Sequence, residues 1–263
     1  MKKHSNRFIP KHPISKPLYF LLAGGMFILF ILIWIILSKW FVKPFFLPSP
    51  FKIAKTTYEL ISQDLLGHLG ASIFRVVLGW LFAVVLGVPL GILIGSYKIF
   101  EALFEPLNDF LRYMPVVAFI PLAILWLGIG DVEKIAIIFL GTFFQLVAMT
   151  SDISASVSES YIFVGRTLGY TPWQSVLRIV WPMSLPSIYD SLRVCMGWAW
   201  SYLVVAELVA AVQGIGYMIV QAQRFLRTDI VISGIIIIGL VGITFDYGFK
   251  MIYSLLFPWS EKK

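Results

Sequence analysis

Charge is scarce in this sequence. Only 13% of its 263 residues are Asp, Glu, Lys or Arg, against about 25% in an ordinary soluble domain. Histidine is scarcer still: His4, His12 and His68 are scattered and form no metal-ligand spacing. The single cysteine, Cys195, excludes an internal disulfide framework and a multi-cysteine metal centre. It sits in an apolar run and reads as a small packing residue. No Gly-x-x-x-x-Gly-Lys-Ser/Thr phosphate loop occurs, so nucleotide hydrolysis has no seat in this chain. No candidate nucleophile is paired with a recognisable base, which leaves an intramembrane hydrolase without support.

Apolar surface is what the chain has instead. Hydrophobic residues make up 59% and the mean hydropathy is +0.87, and only a bilayer can solvate that much. The net charge of +7 fits the accumulation of basic residues on the cytoplasmic side of membrane proteins. Nucleic acid is not indicated, because no basic recognition element accompanies it.

Residues 1–17 form a basic N-terminus with Lys2, Lys3, Arg7, Lys11 and Lys16 and no acid. The run after it, Leu18 to Leu37 within a first span at 18–40, has the roughly 20 residues a spanning helix needs. It is too long for the core of a cleaved signal. Residues 41–70 read as an outer segment. Prolines at 48 and 50 forbid regular helix there. The amphipathic stretch Phe51 to Leu66 then presents Ile53, Ala54, Thr57, Leu60 and Ile61 on one face, as an interfacial helix would.

Residues 71–257 form the core. A second span runs from about Ala71 to Ser96, with Gly87, Gly91 and Gly95 at four-residue spacing. That spacing either admits a close helix neighbour or reflects general tolerance of glycine in lipid. Pro89 predicts a kink. Lys98 to Arg112 reads as a polar connection, Tyr113 to Ile129 as a third span broken by Pro115 and Pro121, and Glu133 to Thr150 as a fourth. A fifth runs from Ile188 to Ala211, a linker from Gln213 to Asp229, and a last span from Ile230 to Phe257, before a tail at 258–263. The architecture expected is all-α, a polytopic bundle of about six spans with both termini in the cytoplasm.

One polar stretch interrupts this pattern, a loop at 152–187. It reads as a short helix, a turn at Gly169-Tyr170-Thr171-Pro172, and a second short amphipathic helix ending at Pro182. Glycine takes the positive φ of a tight turn. Thr171 is a natural N-cap and Pro172 suits the first helical position. The result is a hard knuckle at the membrane surface that a partner can push.

Charges inside spans are costly and face a cavity or a partner. Glu207 either lines a pathway or forms a structural ion pair, with Arg75 as the candidate partner. Asp190 and Arg193 are three apart and can pair on one helix face. Trp198, Trp200 and Tyr202 form either an aromatic solute cage or bundle packing.

The segment from Phe163 to Pro182 resembles the cytoplasmic loop of bacterial ABC importer permeases. That loop reads Glu-Ala-Ala, three residues, Gly, nine residues, Ile, one residue, Leu-Pro. Gly169, Ile179 and Pro182 fall at the matching positions. Phe163 replaces the acid, Val164 and Gly165 the alanines, and Trp181 the leucine. Further stretches are similar to permeases of the nitrate, taurine and aliphatic-sulfonate group: Leu47-Pro48-Ser49-Pro50, Ile120 to Gly130, Val205-Ala206-Glu207-Leu208, Gly214-Ile215-Gly216-Tyr217 and Thr228-Asp229.

The resemblance implies a type I importer permease with its coupling helix between spans four and five. It implies a homodimer in the bacterial inner membrane, separate ATP-binding subunits that carry ATP and Mg, and an extracytoplasmic binding protein. No cofactor is expected on this chain, and it is not itself an enzyme. The solute expected is a small anion such as nitrate, taurine or an alkanesulfonate; relatives also carry vitamin precursors. The ATPase-coupling residues implied are Phe163, Gly165, Arg166, Gly169, Tyr170, Thr171, Pro172, Ile179 and Pro182. Phe163 would then anchor by burial rather than by charge, worth roughly 1.5–3 kcal/mol if fully buried. A stand-alone secondary transporter would show inverted repeats and coupling-ion residues in both halves, and none is visible.

Overall fold

The computed structural model describes residues 14–209 and 211–259, and every regular element among them is helical. Lys2, Lys3, Arg7 and Lys11 and the Lys262-Lys263 end fall outside the described residues. The first helix, α1 (Lys16–Ile36), continues through a π-helical turn, Leu37–Phe41. It is exposed along nearly its whole length. Trp34 Nε1 ties it to the proline-rich segment ahead of the second helix by donating to the Pro48 carbonyl at 3.2 Å.

Helix α2 (Pro50–Ile61) starts at a Ser49 cap, whose hydroxyl accepts from the Lys52 N–H at 3.3 Å, with Pro50 in the first position. Its buried face is Ile53, Thr56 and Leu60, while Ala54 and Ile61 are exposed. This corrects the expected face. Leu60 packs in a cluster with Ile215, Met218, Ile219 and Ile237, and Thr56 Oγ1 donates to Asp229 Oδ2 at 3.1 Å. Protein therefore covers the stripe of Ile53, Thr56 and Leu60.

Helix α3 (Leu65–Ser96) runs unbroken past Pro89. The third span departs from expectation. Lys98 to Arg112 is a helix, α4 (Lys98–Arg112), not a connection. After a 3₁₀ turn at Val116–Phe119 comes α5 (Ile120–Leu127), and the two halves meet at 87°. The charges that suggested a loop stand on a helix, where Lys98 pairs with Glu101 at 2.6 Å and Asp109 lies 3.2 Å from Arg112. Asn108 Nδ2 donates to the Phe144 carbonyl at 3.1 Å and ties α4 to the next long helix.

That helix is α6 (Asp131–Ala155), followed by α7 (Glu159–Thr167) and α8 (Pro172–Ser175). A π-helical stretch, Val176–Val180, leads into α9 (Trp181–Leu208), and α10 (Ile215–Arg224) and α11 (Thr228–Leu256) complete the chain. Four of these helices are long and apolar enough to cross a membrane, and the bent pair makes a fifth candidate. Helix α9 is 28 residues long, and 18 to 20 residues suffice to span at roughly 1.5 Å per residue. It is less apolar because its polar groups, Ser184, Ser191 and Glu207 among them, are buried against protein rather than lipid.

The core sits where α3 lies along α6, and glycine sets their separation. A Cβ on Gly79 would strike Ile138; on Gly91, the Val147 carbonyl and Thr150; on Gly95, Ser154 and the Ala155 backbone. These are backbone-to-helix contacts that no side-chain rotation relieves. Gly91→Leu should lower the thermal midpoint of the detergent-purified protein by several degrees, since overpacking of this kind costs about 1–3 kcal/mol. Gly24→Leu, where nothing lies within 4 Å, should leave the midpoint unchanged.

Candidate functional site

Three arrangements carry the polar residues, one at each end of the bundle and one between them. The knuckle is built by local backbone chemistry. Ser158 caps α7, its hydroxyl accepting from the Ser160 N–H at 3.3 Å. At the other end Gly169 has φ +83°. Its N–H reaches the Arg166 carbonyl and the Tyr170 N–H reaches the Gly165 carbonyl, both at 3.0 Å. That double closure is a Schellman cap.

Thr171 then opens α8 with a capping box. Its hydroxyl accepts from the Gln174 N–H at 3.3 Å, and the Gln174 side-chain oxygen accepts from the Thr171 N–H at 2.9 Å. Both helices are thus stopped and started within four residues. The two arms lock together at Gly165, where any Cβ would meet Ile179 Cδ1 and Tyr170. The Arg178 guanidinium lies 5.3 Å above the Tyr170 ring.

One side of the knuckle faces the bundle. Val176 packs with Val88, Ile92, Leu146 and Ile188, and Val180 is buried. The other side is bare: Phe163 is 67% exposed, and Leu168, Trp173 and Leu177 are also exposed. Arg166, Thr171 and Pro172 are exposed as well. Pro182 does not end the second helix, contrary to expectation. The chain runs from Pro172 to Leu208 without interruption. The π-turn, closed by the Trp181 N–H on the Val176 carbonyl, shifts the bonding pattern just before the proline, so its missing N–H breaks nothing. The knuckle is therefore continuous with α9.

At the opposite end a polar seat surrounds Glu207, whose side chain is fully buried. Arg75 Nη1 donates to Glu207 Oε1 at 2.5 Å and to the Gln213 carbonyl at 2.6 Å. Its Nε donates to Asp131 Oδ1 at 2.7 Å. Ser72 Oγ donates to the Glu207 carboxylate at 2.9 and 3.0 Å and accepts from the Ile215 N–H at 2.9 Å. The Gly216 N–H donates to Oε2 at 2.7 Å. A Cβ on Gly214 (φ +128°) or on Gly216 would collide with the Glu207 side chain. The Gly214 N–H donates to His68 Nδ1 at 3.1 Å. Helix α3 and the first turn of α10 thus close on the α9 carboxylate, both oxygens of which have donors, while Asp131 at the start of α6 holds Arg75.

The third arrangement is a cavity of 390 Å³ between α4, α6 and α9. Trp198, Ser201 and Tyr202 form one wall, as their spacing on α9 requires. Tyr202 lies against Gly141, where no Cβ fits. Trp200 is not part of it: it is buried on another face, with its ring 5.7 Å from Phe245, so the three aromatics do not form one cage. Asp190 and Arg193 pair at 3.8 Å, and Arg193 also reaches Asp246 at 3.6 Å, which binds Lys250 at 2.5 Å. Sequence reasoning missed Arg112 and Gln145 in the cavity wall. Gln145 could have been found as the one amide in an otherwise apolar stretch of α6.

Solved structures share this fold. A chain of the MetNI methionine ABC transporter superimposes with a TM-score of 0.66 at 17% identity, over 75% of this chain and 98% of that one. A chain of a bacterial ABC transporter involved in the import of the acidic polysaccharide alginate gives 0.59 at 14%, over 90% and 91%.

Residues 87–257 match the family described as the binding-protein-dependent transport system inner membrane component, and the chain belongs to that family. It is a multi-pass permease component of an ABC importer, whose ATPase and binding protein are separate subunits. Among its relatives is the taurine transport system permease protein TauC of Escherichia coli (strain K12), 31% identical over 98% of this chain and 96% of that protein. The putative aliphatic sulfonates transport permease protein SsuC of Bacillus subtilis (strain 168) is 39% identical over 82% of this chain and 78% of its own length. The formylaminopyrimidine transport permease protein ThiX of Halalkalibacterium halodurans is 30% identical over 90% and 95%.

Proposed function

We propose that the chain acts as a homodimeric permease importing a small solute with an oxyanion head, such as taurine, an alkanesulfonate or nitrate. The observation that carries the solute class is the full-length similarity to TauC, supported by SsuC and by the nitrate import permease protein NrtB of Synechocystis. The seating of Glu207 supports it further. A carboxylate enclosed by Ser72, Arg75 and Gly216 does not stand in the pathway to repel an anion. Glu207 and Arg75 then serve as a structural ion pair.

In this reading both termini are cytoplasmic and the knuckle seats in a cleft of the ATPase. Phe163, Leu168 and Trp173 bury there on docking. Gly165, Tyr170 and Ile179 keep the two arms rigid, and the unbroken helix from Pro172 through Pro182 to Leu208 transmits the displacement. ATPase closure and opening then favour two different tilts of the bundle, which is alternating access by a differential interaction.

The test is solute uptake into proteoliposomes holding the complete complex with its ATPase and binding protein. Taurine, ethanesulfonate or nitrate should accumulate only with ATP inside. Uptake of a formylaminopyrimidine in their place would establish the second reading, which the similarity to ThiX favours. Uptake without ATP would overturn both.

A further inference from the structure

The 390 Å³ cavity between α4, α6 and α9 has a chemical sign. The only ionisable side chain in its wall, besides the Tyr202 phenol, is Arg112; no carboxylate lines it among the described residues. The remaining polar groups in the wall are Gln145, Trp198, Ser201 and Tyr202, and each carries a hydrogen-bond donor. None of the four side chains spends that donor within the described chain.

Arg112 is held but not exhausted. Asp109 Oδ1 lies 3.2 Å from its Nε, without hydrogen-bond alignment. Nη2 makes one long contact, 3.5 Å, to the Tyr113 hydroxyl, and the guanidinium lies 5.0 Å from the Tyr113 ring. Nη1 makes no hydrogen bond within the described residues. Arg112 is also the last residue of α4, directly before the 87° break. The break therefore decides where this cation stands, beside Val116 in the cavity wall.

We infer that this cavity is a solute subsite in the membrane pathway, with Arg112 as its specificity-determining residue, binding the oxyanion head of the solute. The inference rests on the oxyanion reading of function above. A guanidinium with a free edge takes a planar or tetrahedral oxyanion through two parallel N–H bonds, a geometry ammonium lacks. Gln145, Ser201 and Tyr202 supply neutral donors to the remaining oxygens. Trp198 gives apolar surface to a short alkyl tail. The volume lies at the small end of the range of about 300–1,000 Å³ for small-molecule sites, which suits a solute of a few heavy atoms. A single cation keeps the site weak enough to release its solute.

The experiment uses the full complex in proteoliposomes, with ATP-driven uptake of taurine, ethanesulfonate, nitrate and a neutral formylaminopyrimidine compared first on the wild type. Import of the neutral solute alone would overturn the oxyanion reading itself, and the subsite with it. Where an oxyanion solute is imported, Arg112→Gln should reduce kcat/KM for its uptake at least tenfold, and Arg112→Lys, which keeps the charge but not the two-pronged geometry, should recover only part of the lost rate. Tyr202→Phe should cost three- to fivefold. Wild-type uptake by Arg112→Gln would overturn the subsite and leave the importer reading standing. Equal loss in Arg112→Gln and Arg112→Lys, with loss of the co-purifying ATPase, would show Arg112 to be a scaffold residue and would also overturn it.

Discussion

Glu207→Ala should be the most damaging single substitution in the bundle, lowering stability by about 3–5 kcal/mol, the usual cost of removing one partner of a buried ion pair. The reason is what stays behind. Arg75, with a side chain only 5% exposed, keeps Asp131 and the Gln213 carbonyl but loses the carboxylate that balances it inside. The Ser72 hydroxyl and the Gly216 N–H lose their acceptor as well. Folded, monodisperse yield after detergent extraction should collapse, and the thermal midpoint of what remains should fall. Glu207→Gln keeps the volume and an acceptor for Gly216, so its loss should be smaller. A Glu207→Ala chain that purified and melted like wild type, but transported with altered selectivity, would place this residue in the pathway instead.

Gly169→Val should act on the work of the protein rather than on its assembly. Gly169 has φ +83°, where a β-branched residue is strained by roughly 1–3 kcal/mol. The strain falls on the Schellman closure that holds Gly165, Tyr170 and Ile179 in register. The surrounding spans do not depend on it, since nothing lies within 4 Å of a Cβ there. Insertion into the membrane should persist, while solute imported per ATP hydrolysed should drop at least tenfold. Undiminished coupling in this variant would show that the knuckle does not work as a rigid lever. The measurement is parallel uptake and phosphate release on one proteoliposome preparation.

The knuckle was legible because its chemistry is local. A positive-φ glycine, a threonine cap and a proline in the first helical position all act through bonds spanning five residues or fewer. The same local reasoning failed at Pro182. Whether a proline ends a helix depends on whether the turn before it can widen, and the π-turn from Val176 to Val180 sits between buried side chains that favour continuity. It failed again at α4, where charges that suggested solvent pair with one another on a helix that lies against α6.

The seat around Glu207 was legible only in part. Arg75 is alone in its span, and Glu207 stands fourteen residues or more from the other charges of its own, Asp190 and Arg193, so the pairing of Glu207 with Arg75 follows from the cost of leaving either bare. Ser72, Asp131 and the Gly214–Gly216 loop could not be added, because hydroxyls and loop glycines occur at many places in the chain and local pattern does not rank them.

By itself, then, the sequence determined the solvent, the helical class, the family and the capped turn, since each depends on composition or on near neighbours along the chain. Tertiary structure alone decided which polar groups meet across 56 to 138 residues of chain around Arg75. It also set Arg112 in the wall of a cavity. Those outcomes depend on how closely α3 approaches α6 and on the angle at which α4 breaks, and both are set by packing of helices far apart in sequence.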